Sequence, residues 1–145
     1  RFITTRFGNV LGSNGSVMTN EETLENGETR VVLALPPVLA PVKACVMPLV
    51  KKDGLREKAR EIINELKFDF KCTYDEKDSI GKRYRRQDAV GTPFCITVDH
   101  QTAEDNSVTI RHRDTMAQER VAIADLHKII GDAVNMKNLF KKIVE

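Results

Sequence analysis

The sequence contains no tryptophan, few aromatic residues (6%) and little net charge, because 23 basic residues oppose 21 acidic ones and leave a formal charge of +2. A balance this close to zero excludes the global attraction to nucleic acid that a strongly basic protein has. The chain also lacks an apolar run near the ~20 residues that cross a membrane, and its start contains no signal-peptide core. We therefore expect a cytoplasmic protein without a membrane partner, whose binding surfaces are local patches.

Cysteine is scarce as well. Cys45, Cys72 and Cys95 are far apart, form no C-x-x-C motif and lie among apolar neighbours in predicted strands. Such spacing excludes a disulfide framework and the usual zinc-site patterns. The sequence therefore predicts three reduced thiols that pack in the interior.

A catalytic arrangement is also missing from the sequence. His100 and His127 have no nucleophile or second metal ligand at a suitable spacing. Residues 107–113 alternate as a half-exposed strand, with Val108, Ile110 and His112 on one face and Thr109, Arg111 and Arg113 on the other. His112 therefore lies on the apolar face, which is typical of a histidine packed at the edge of a core. We therefore expect no catalytic residue and no metal ligand. The chain is interpreted as a binding module that is not catalytic by itself.

The hydrophobic pattern predicts an α/β domain. Apolar runs and alternating segments indicate five strands, and helical spacing indicates an amphipathic helix from Leu55, a basic helix after Ser79 and a helix that begins at Asp125. The predicted strands are Val42–Val50, Asp69–Tyr74, Pro93–Val98, Ser107–Arg113 and Ala117–Ile123. We therefore expect a five-stranded mixed sheet flanked by three helices over residues 42–145. A short tail helix follows from Met136, and residues 18–41 form a linker.

The basic helix is the most distinctive segment. Ser79–Phe94 reads SIGKRYRRQDAVGTPF and carries the cations Lys82, Arg83, Arg85 and Arg86. On a helical wheel, Ile80, Tyr84 and Gln87 face one way, whereas Lys82, Arg85 and Arg86 face the other. If Ser79 caps the helix, free backbone amides add to the positive field. The segment is either an anion-binding surface or a solvated helix face.

Four ordered motifs identify a family. They are LPPVLAPVKACVMPLV at 35–50, SIGKRYRRQDAVGTPF at 79–94, TVD at 97–99 and VTIRHRDTMAQER at 108–120. Together they resemble the C-terminal anticodon-binding domain of the dimeric, class II glycyl-tRNA synthetases, from about residue 21 to the end. The resemblance implies glycine tRNA as the partner and a homodimeric parent enzyme. That enzyme would use ATP and Mg²⁺ in a catalytic domain absent from this chain, so no cofactor is expected here.

The resemblance also implies a site. In related synthetases the strand matching Val108–Arg113 and the loop matching Asp75–Gly81 approach the anticodon bases, which transfers to Arg111 first and Lys77 second. Glycine anticodons share two cytosines, whose amine needs an acidic acceptor and whose ring needs a basic donor. We therefore predict an RNA-binding set that also includes phosphate contacts, namely Arg111, Arg113, Lys77, Asp75, Lys82, Arg83 and Arg86.

Other interpretations remain open. Arg111 and Arg113 are alternatively surface ion-pair partners of Asp114 or Glu119. The same fold occurs in threonyl-, prolyl- and histidyl-tRNA synthetases, and a protein–protein accessory domain could reuse it without RNA. Tyr74 and Tyr84 are the two candidates for base stacking.

The first residues resemble another family. Residues 3–17, ITTRFGNVLGSNGSV, resemble a segment of the sugar-nucleotide dehydratases and epimerases, the extended short-chain dehydrogenases. The glycines do not form the dinucleotide-binding fingerprint G-x-G-x-x-G. The Tyr-x-x-x-Lys pair is also absent, because Asp78 and Asp88 follow four residues after Tyr74 and Tyr84. We interpret residues 1–17 as a stray, loosely packed segment joined near Val17, with a dehydratase fragment as the alternative class.

Overall fold

The computed structural model describes residues 19–144. The dehydratase-like segment, 1–17, lies outside the described residues. The strands are β1 Thr19–Thr23, β2 Thr29–Leu33, β3 Ala44–Pro48, β4 Cys72–Tyr74, β5 Phe94–Val98, β6 Ser107–His112 and β7 Gln118–Ala122. The helices are α1 Leu55–Leu66, α2 Ile80–Val90, α3 His100–Asp105, α4 Leu126–Ala133 and α5 Met136–Val144.

The five strands β3 to β7 form the predicted mixed sheet, in the order β4-β3-β5-β6-β7. Strand β3 runs parallel to both β4 and β5, whereas β5–β6 and β6–β7 are antiparallel pairs. Parallel neighbours need a long crossover, which α1 and α2 provide. The carboxyl ends of β3, β4 and β5 therefore meet at one edge of the sheet, where the loops after these strands lie together.

Each face of the sheet is covered by helices. On one face, α1 and α4 bury a continuous apolar core that includes Leu55, Ile62, Ile96, Ile110 and Ile130. On the other face, Cys45, Met47 and Cys95 pack against Ile80 and Tyr84 of α2. The three predicted flanking helices are therefore confirmed, and the structure adds the short helix α3.

The predicted interior position of the cysteines is confirmed for Cys45 and Cys95. All three thiols are free, with Cys45 and Cys95 buried and Cys72 half-buried. Burial raises the pKa of both Cys45 and Cys72 to about 11, so these thiols are protonated at neutral pH. Since the thiolate is the reactive form, the native cysteines are inert packing residues.

The structure differs from the prediction between residues 18 and 41. Strands β1 and β2 form an antiparallel hairpin around Gly27, whose φ of +81° suits a tight turn. The hairpin packs on α2, and the buried residues of β2 are Arg30 and Val32. Because Arg30 lies on the buried face, β2 lacks the alternation of apolar and polar residues by which a strand is predicted. The carboxylate partner of Arg30, Asp88, is distant in the chain, and folding brings the two together.

Local capping was only partly predicted. Ser79 and Asp125 precede α2 and α4 as predicted, but neither side chain makes a capping hydrogen bond. The capping box instead belongs to α3, where Asp99 accepts from the backbone N–H of Thr102 and the Thr102 hydroxyl accepts from the backbone N–H of Asp99. Two reciprocal bonds of this kind stabilise the start of a helix that was not predicted.

Gly91 is required where α2 ends. Its φ is +84°, and an added Cβ would lie 3.1 Å from both the carbonyl oxygen and Cδ2 of Leu33 in β2. We expect Gly91→Ala to lower the free energy of unfolding by at least about 1–2 kcal/mol, from the left-handed backbone alone. Gly81→Ala is the matched control, because Gly81 is helical and faces open space; it should stabilise by about 0.5–1 kcal/mol. Urea unfolding of both variants measures the contrast, which equal effects would contradict.

Asp99 makes the domain sensitive to acid. Both of its carboxylate oxygens accept from the Arg120 guanidinium, at 2.6 and 2.9 Å, and these bonds together with the cap lower the pKa of Asp99. Because the pKa of Asp99 is lower in the folded than in the unfolded protein, its carboxylate stabilises the fold at pH values above the unfolded-state pKa, which is near 4. This contribution is lost as the pH falls through the folded-state pKa.

We expect Asp99→Asn, which keeps a good N-cap, to cost about 1–2 kcal/mol at pH 7. The difference from the unsubstituted protein should shrink towards pH 3, where the natural carboxyl group is also losing its charge. Urea unfolding at both pH values measures it. A difference that stays constant with pH would show that the ion pair contributes nothing.

Candidate nucleic-acid interface

The loop between β4 and α2, residues 75–79, is fixed to the sheet by Arg83. This side chain is buried, and its Nη1 donates to the Pro48 carbonyl at 2.6 Å. Its Nε and Nη2 donate to the Asp78 carbonyl at 3.2 and 2.9 Å. One guanidinium therefore joins the end of β3 to the loop, which holds the carboxyl edge of the sheet in one conformation.

Arg86 holds the same loop from its outer side. Its guanidinium donates to both oxygens of Asp75, to Oδ2 of Asp78 at 3.0 Å and to the Lys77 carbonyl at 2.9 Å. These bonds raise the pKa of Arg86 and lower that of Asp78. Asp75 also accepts from the backbone N–H of Lys77 at 2.9 Å, so its four acceptor sites are filled inside the loop.

Arg111 lies inside the domain. Its Nη1 and Nη2 donate to the two oxygens of the fully buried Asp88 at 2.9 and 3.1 Å, and its guanidinium lies 4.7 Å from the centre of the Tyr84 ring. Asp88 also accepts from Arg30 of β2 at 2.9 Å. Arg30, Asp88 and Arg111 thus form a buried ion triad that joins the hairpin, α2 and β6.

Arg113 is also buried, just after β6. It donates to the carbonyls of Gly91 at 2.8 Å and Leu35 at 2.6 Å, and it pairs with Asp114. The alternative of an ion pair with Asp114 is therefore confirmed for Arg113. Glu119 contacts His112 instead of Arg111.

The structure corrects the expectation of a half-exposed strand face. Arg111 and Arg113 alternate with Val108 and Ile110 as predicted, but α2 and its neighbouring loops cover their side of the sheet. Of the predicted binding set, Arg83, Arg111 and Arg113 are buried, and Arg86 is bonded to the loop. Their roles as RNA contacts stay predictions, and the bonds within the fold favour structural roles for them.

Lys77 and Lys82 are the two predicted cations that remain exposed and available. Their charges lie near Asp78 and help to lower its pKa. Lys51 and Lys52, which follow β3, are exposed at the same edge, and Lys51 lies near Glu76. Within residues 19–144, the lysines in ion pairs are Lys58 and Lys128 alone. We call Lys51, Lys52, Lys77 and Lys82 the lysine edge.

Lys51 and Lys52 were not among the residues predicted for the site. The available signal was their position: two lysines directly after a buried parallel strand lie at the same sheet edge as the loop after the next parallel strand.

Two carboxylates beside the lysine edge keep open acceptor sites. Glu76 accepts one bond from Tyr74 and one from Arg56, and Asp78 accepts one side-chain bond, from Arg86. The Tyr74 hydrogen bond lowers the pKa of Glu76, and the charges of Arg56 and Lys51 lower it further. Both groups are therefore anionic at neutral pH and can accept hydrogen bonds from an amine.

The two tyrosines already stack on arginines. The Arg60 guanidinium lies 4.4 Å from the centre of the Tyr74 ring, and Arg111 lies over Tyr84, whose hydroxyl bonds to Thr97. One face of each ring is therefore occupied by a cation.

Residues 19–144 contain no group of three or more His, Cys, Asp or Glu side chains placed to hold a metal ion. His100 and His127 contact Asp53 and Asp69 on the surface. No helix within this range is long and apolar enough to span a membrane.

The mixed sheet and its helical crossovers define an α/β domain, in which exposed lysines lie beside an acidic loop at the carboxyl edge of the sheet. The chain belongs to the anticodon-binding domain family, whose model matches residues 43–132. Its relatives include the glycine–tRNA ligase of Treponema pallidum, 54% identical over 123 residues, which cover 84% of this chain and 27% of that protein. The glycine–tRNA ligase of Clostridium beijerinckii is 55% identical over 111 residues, covering 77% of this chain and 24% of the ligase.

A solved structure agrees with this assignment. The RNA binding domain of threonyl-tRNA synthetase from Cryptosporidium parvum Iowa II superimposes with a TM-score of 0.62 at 25% identity, over 68% of this chain and 25% of that one. The predicted fold and the resemblance to the anticodon-binding domain of glycyl-tRNA synthetases are thereby confirmed. The chain spans about a quarter of the length of the curated relatives it matches.

Proposed function

We propose that this domain binds the anticodon of glycine tRNA on behalf of a glycine–tRNA ligase. The family and the relatives' names support the partner. The observation that carries the proposal is the lysine edge, where Lys77 stands on a loop held by two arginines, next to carboxylates with open acceptor sites. A rigid loop with both signs of charge suits a base that offers both a donor and acceptors.

The chemistry follows from the shared cytosines of glycine anticodons. The cytosine amine donates to Asp78 or Glu76, and its ring nitrogen and carbonyl accept from the Lys77 ammonium. Lys51, Lys52 and Lys82 contact the neighbouring phosphates, which positions the loop without reading sequence. Asp75, the acidic residue of the predicted set, acts through Arg86 and the loop conformation, because its own acceptor sites are filled.

The parent enzyme is part of the same proposal. It attaches glycine to the tRNA with ATP and Mg²⁺ in a catalytic domain outside this chain, as a cytoplasmic homodimer. The isolated domain supplies binding alone.

The test is a comparison of two transcripts. The affinity of the domain is measured by filter binding for glycine tRNA and for the same tRNA with its two anticodon cytosines replaced. We expect a loss of about 1–3 kcal/mol for each replaced base. Equal affinity for both transcripts would refute the proposal. A preference for a threonine tRNA would assign the domain to that class instead, as the threonyl neighbour permits.

The predicted base-reading role of Arg111 is tested with the same transcripts. If Arg111 reads a base, Arg111→Ala should bind glycine tRNA more weakly and should discriminate less between the two transcripts. A structural role lowers stability and leaves the preference of the remaining folded protein unchanged, which is the result we expect from its bonds to Asp88.

A further inference from the structure

The edge strand β4 is bordered by a second set of cations. Arg56 and Arg60 lie one turn apart on one flank of α1, Lys67 directly follows the helix on the same side, and Lys71 directly precedes β4. Side-chain interactions place this flank over the strand, since Arg60 covers the Tyr74 ring and Arg56 bonds to Glu76 at 3.0 Å. We call Arg56, Arg60, Lys67 and Lys71 the β4 stripe.

The β4 stripe continues from the lysine edge. Lys77 follows the carboxyl end of β4 and Lys71 precedes its amino end, so the two bound a path of about 15–20 Å along the open side of the sheet. Arg60, Lys67 and Lys71 are exposed, and the Arg56 side chain is 43% exposed. The path is long enough to follow several phosphates of one strand.

Three other surfaces in the described part of the chain are acidic, whereas α5 is basic and carries Lys137, Lys141 and Lys142. The hairpin on the far side of α2 carries Glu21, Glu22, Glu25 and Glu28, and Glu28 pairs with Arg85. The ends of α3 and β7 carry Glu104, Asp105 and Asp125, and the outer flank of α1 carries Glu57, Glu61 and Glu65. Each of the three acidic surfaces repels a phosphate backbone.

From this charge pattern we infer that the double-helical anticodon stem lies along β4, with its phosphates on Arg56, Arg60, Lys67 and Lys71. The inference rests on the proposed function, because bases bound at the lysine edge must continue into their stem. The stem then leaves the loop over the open edge of the sheet. The protein meets the RNA backbone here, so the β4 stripe supplies affinity and orientation without anticodon preference.

The experiment reverses two charges of the stripe. The variant Arg60→Glu/Lys71→Glu is compared with Lys137→Glu/Lys141→Glu on α5, which makes the same change in net charge at exposed lysines outside both cation sets. Each protein is titrated with glycine tRNA, with the transcript whose anticodon is changed, and with a single-stranded oligonucleotide of the anticodon-loop sequence. Thermal unfolding confirms that both variants are folded.

We expect the stripe variant to bind both tRNAs at least about tenfold more weakly, with the preference between them unchanged. The slope of log affinity against log salt should fall by roughly 0.9 for each phosphate that the variant no longer neutralises. Affinity for the single-stranded loop should stay within twofold of the unsubstituted domain, and the α5 control should retain its tRNA affinity.

The outcomes separate the two proposals. Full tRNA affinity in the stripe variant, or an equal reduction in the α5 control, overturns the stem placement while the anticodon preference stands. Equal binding of both tRNAs by the unsubstituted domain, with weaker binding by the stripe variant, overturns the proposed function and keeps the duplex surface. Aggregation of the stripe variant with unchanged tRNA affinity would assign these charges to protection of the edge strand and overturn the inference.

Discussion

Replacing Asp88 by asparagine is expected to destabilise the domain by about 3–5 kcal/mol. Asp88 is fully buried and accepts from Arg30 and from both terminal nitrogens of Arg111, each of which is almost completely buried. Removing the carboxylate charge leaves the buried Arg111 without a counter-ion and leaves Arg30 with Glu22 alone. The low local dielectric makes an unpaired buried charge costly. Urea unfolding, followed by far-ultraviolet circular dichroism, measures the loss of stability.

The matched control is Asp132→Asn. Asp132 is also helical, but its side chain is 66% exposed and meets Lys128 at 3.4 Å on the surface. Exposed pairs of this kind contribute little, so we expect a change within about 0.5 kcal/mol. Similar effects in the two variants would mean that the buried triad does not stabilise the fold.

A further consequence concerns the hairpin: because Arg30 is its buried anchor, Asp88→Asn should also make residues 19–33 more sensitive to protease than α1.

Reversing the charges of Lys77 and Lys82 is expected to abolish most tRNA binding. In the proposed complex, each substitution removes a cation that faces a phosphate or a base. It also places a carboxylate near Asp78, which is already anionic. We expect Lys77→Glu/Lys82→Glu to weaken binding at least about a hundredfold at low salt. The salt slope should fall by roughly 0.7 for every phosphate of the single-stranded loop left without its lysine. Filter binding across a salt series measures both quantities.

The single variants divide the lysine edge by role. Lys77→Ala should weaken binding of glycine tRNA more than that of the transcript with a changed anticodon, because in the proposed complex Lys77 stands on the loop that contacts the bases. Lys82→Ala should weaken both alike, because it lies on the outer face of α2. Stability should be unchanged in each case, since both ammonium groups are exposed. Unaltered binding in the double variant would place the RNA surface elsewhere on the domain.

The fold was predictable because its evidence is local in the sequence. The apolar spacing of Leu55, Ala59, Ile62 and Leu66 is a property of neighbouring residues, and these side chains form the buried face of α1. The predicted β-α-β order likewise follows from segment lengths. The hairpin and α3 were missed for opposite reasons: β2 buries an arginine in place of an apolar residue, and α3 is too short to show helical periodicity.

The candidate site was less predictable, because the availability of an arginine depends on distant residues. Alternation along β6 correctly placed Arg111 opposite Val108 and Ile110, but it does not say which element covers that face. Asp88 lies 23 residues from Arg111 and 58 residues from Arg30 in the chain. Arg83 and Arg86 bond to residues of their own loop that are close in sequence. Even so, their charge pattern in the sequence does not distinguish bonds within the fold from an RNA-binding surface.

The sequence by itself therefore determined the α/β class, the order of the five sheet strands along the chain, the buried thiols and the family, since periodicity and ordered motifs carry this information locally. The tertiary structure alone decided which cations are available. It turned Arg83, Arg111 and Arg113 into buried partners of carbonyls and carboxylates, and it brought Lys51 and Lys52 beside Lys77 and Lys82. The physical reason is that burial of a charge requires a partner, and folding brings together partners that are distant in the chain.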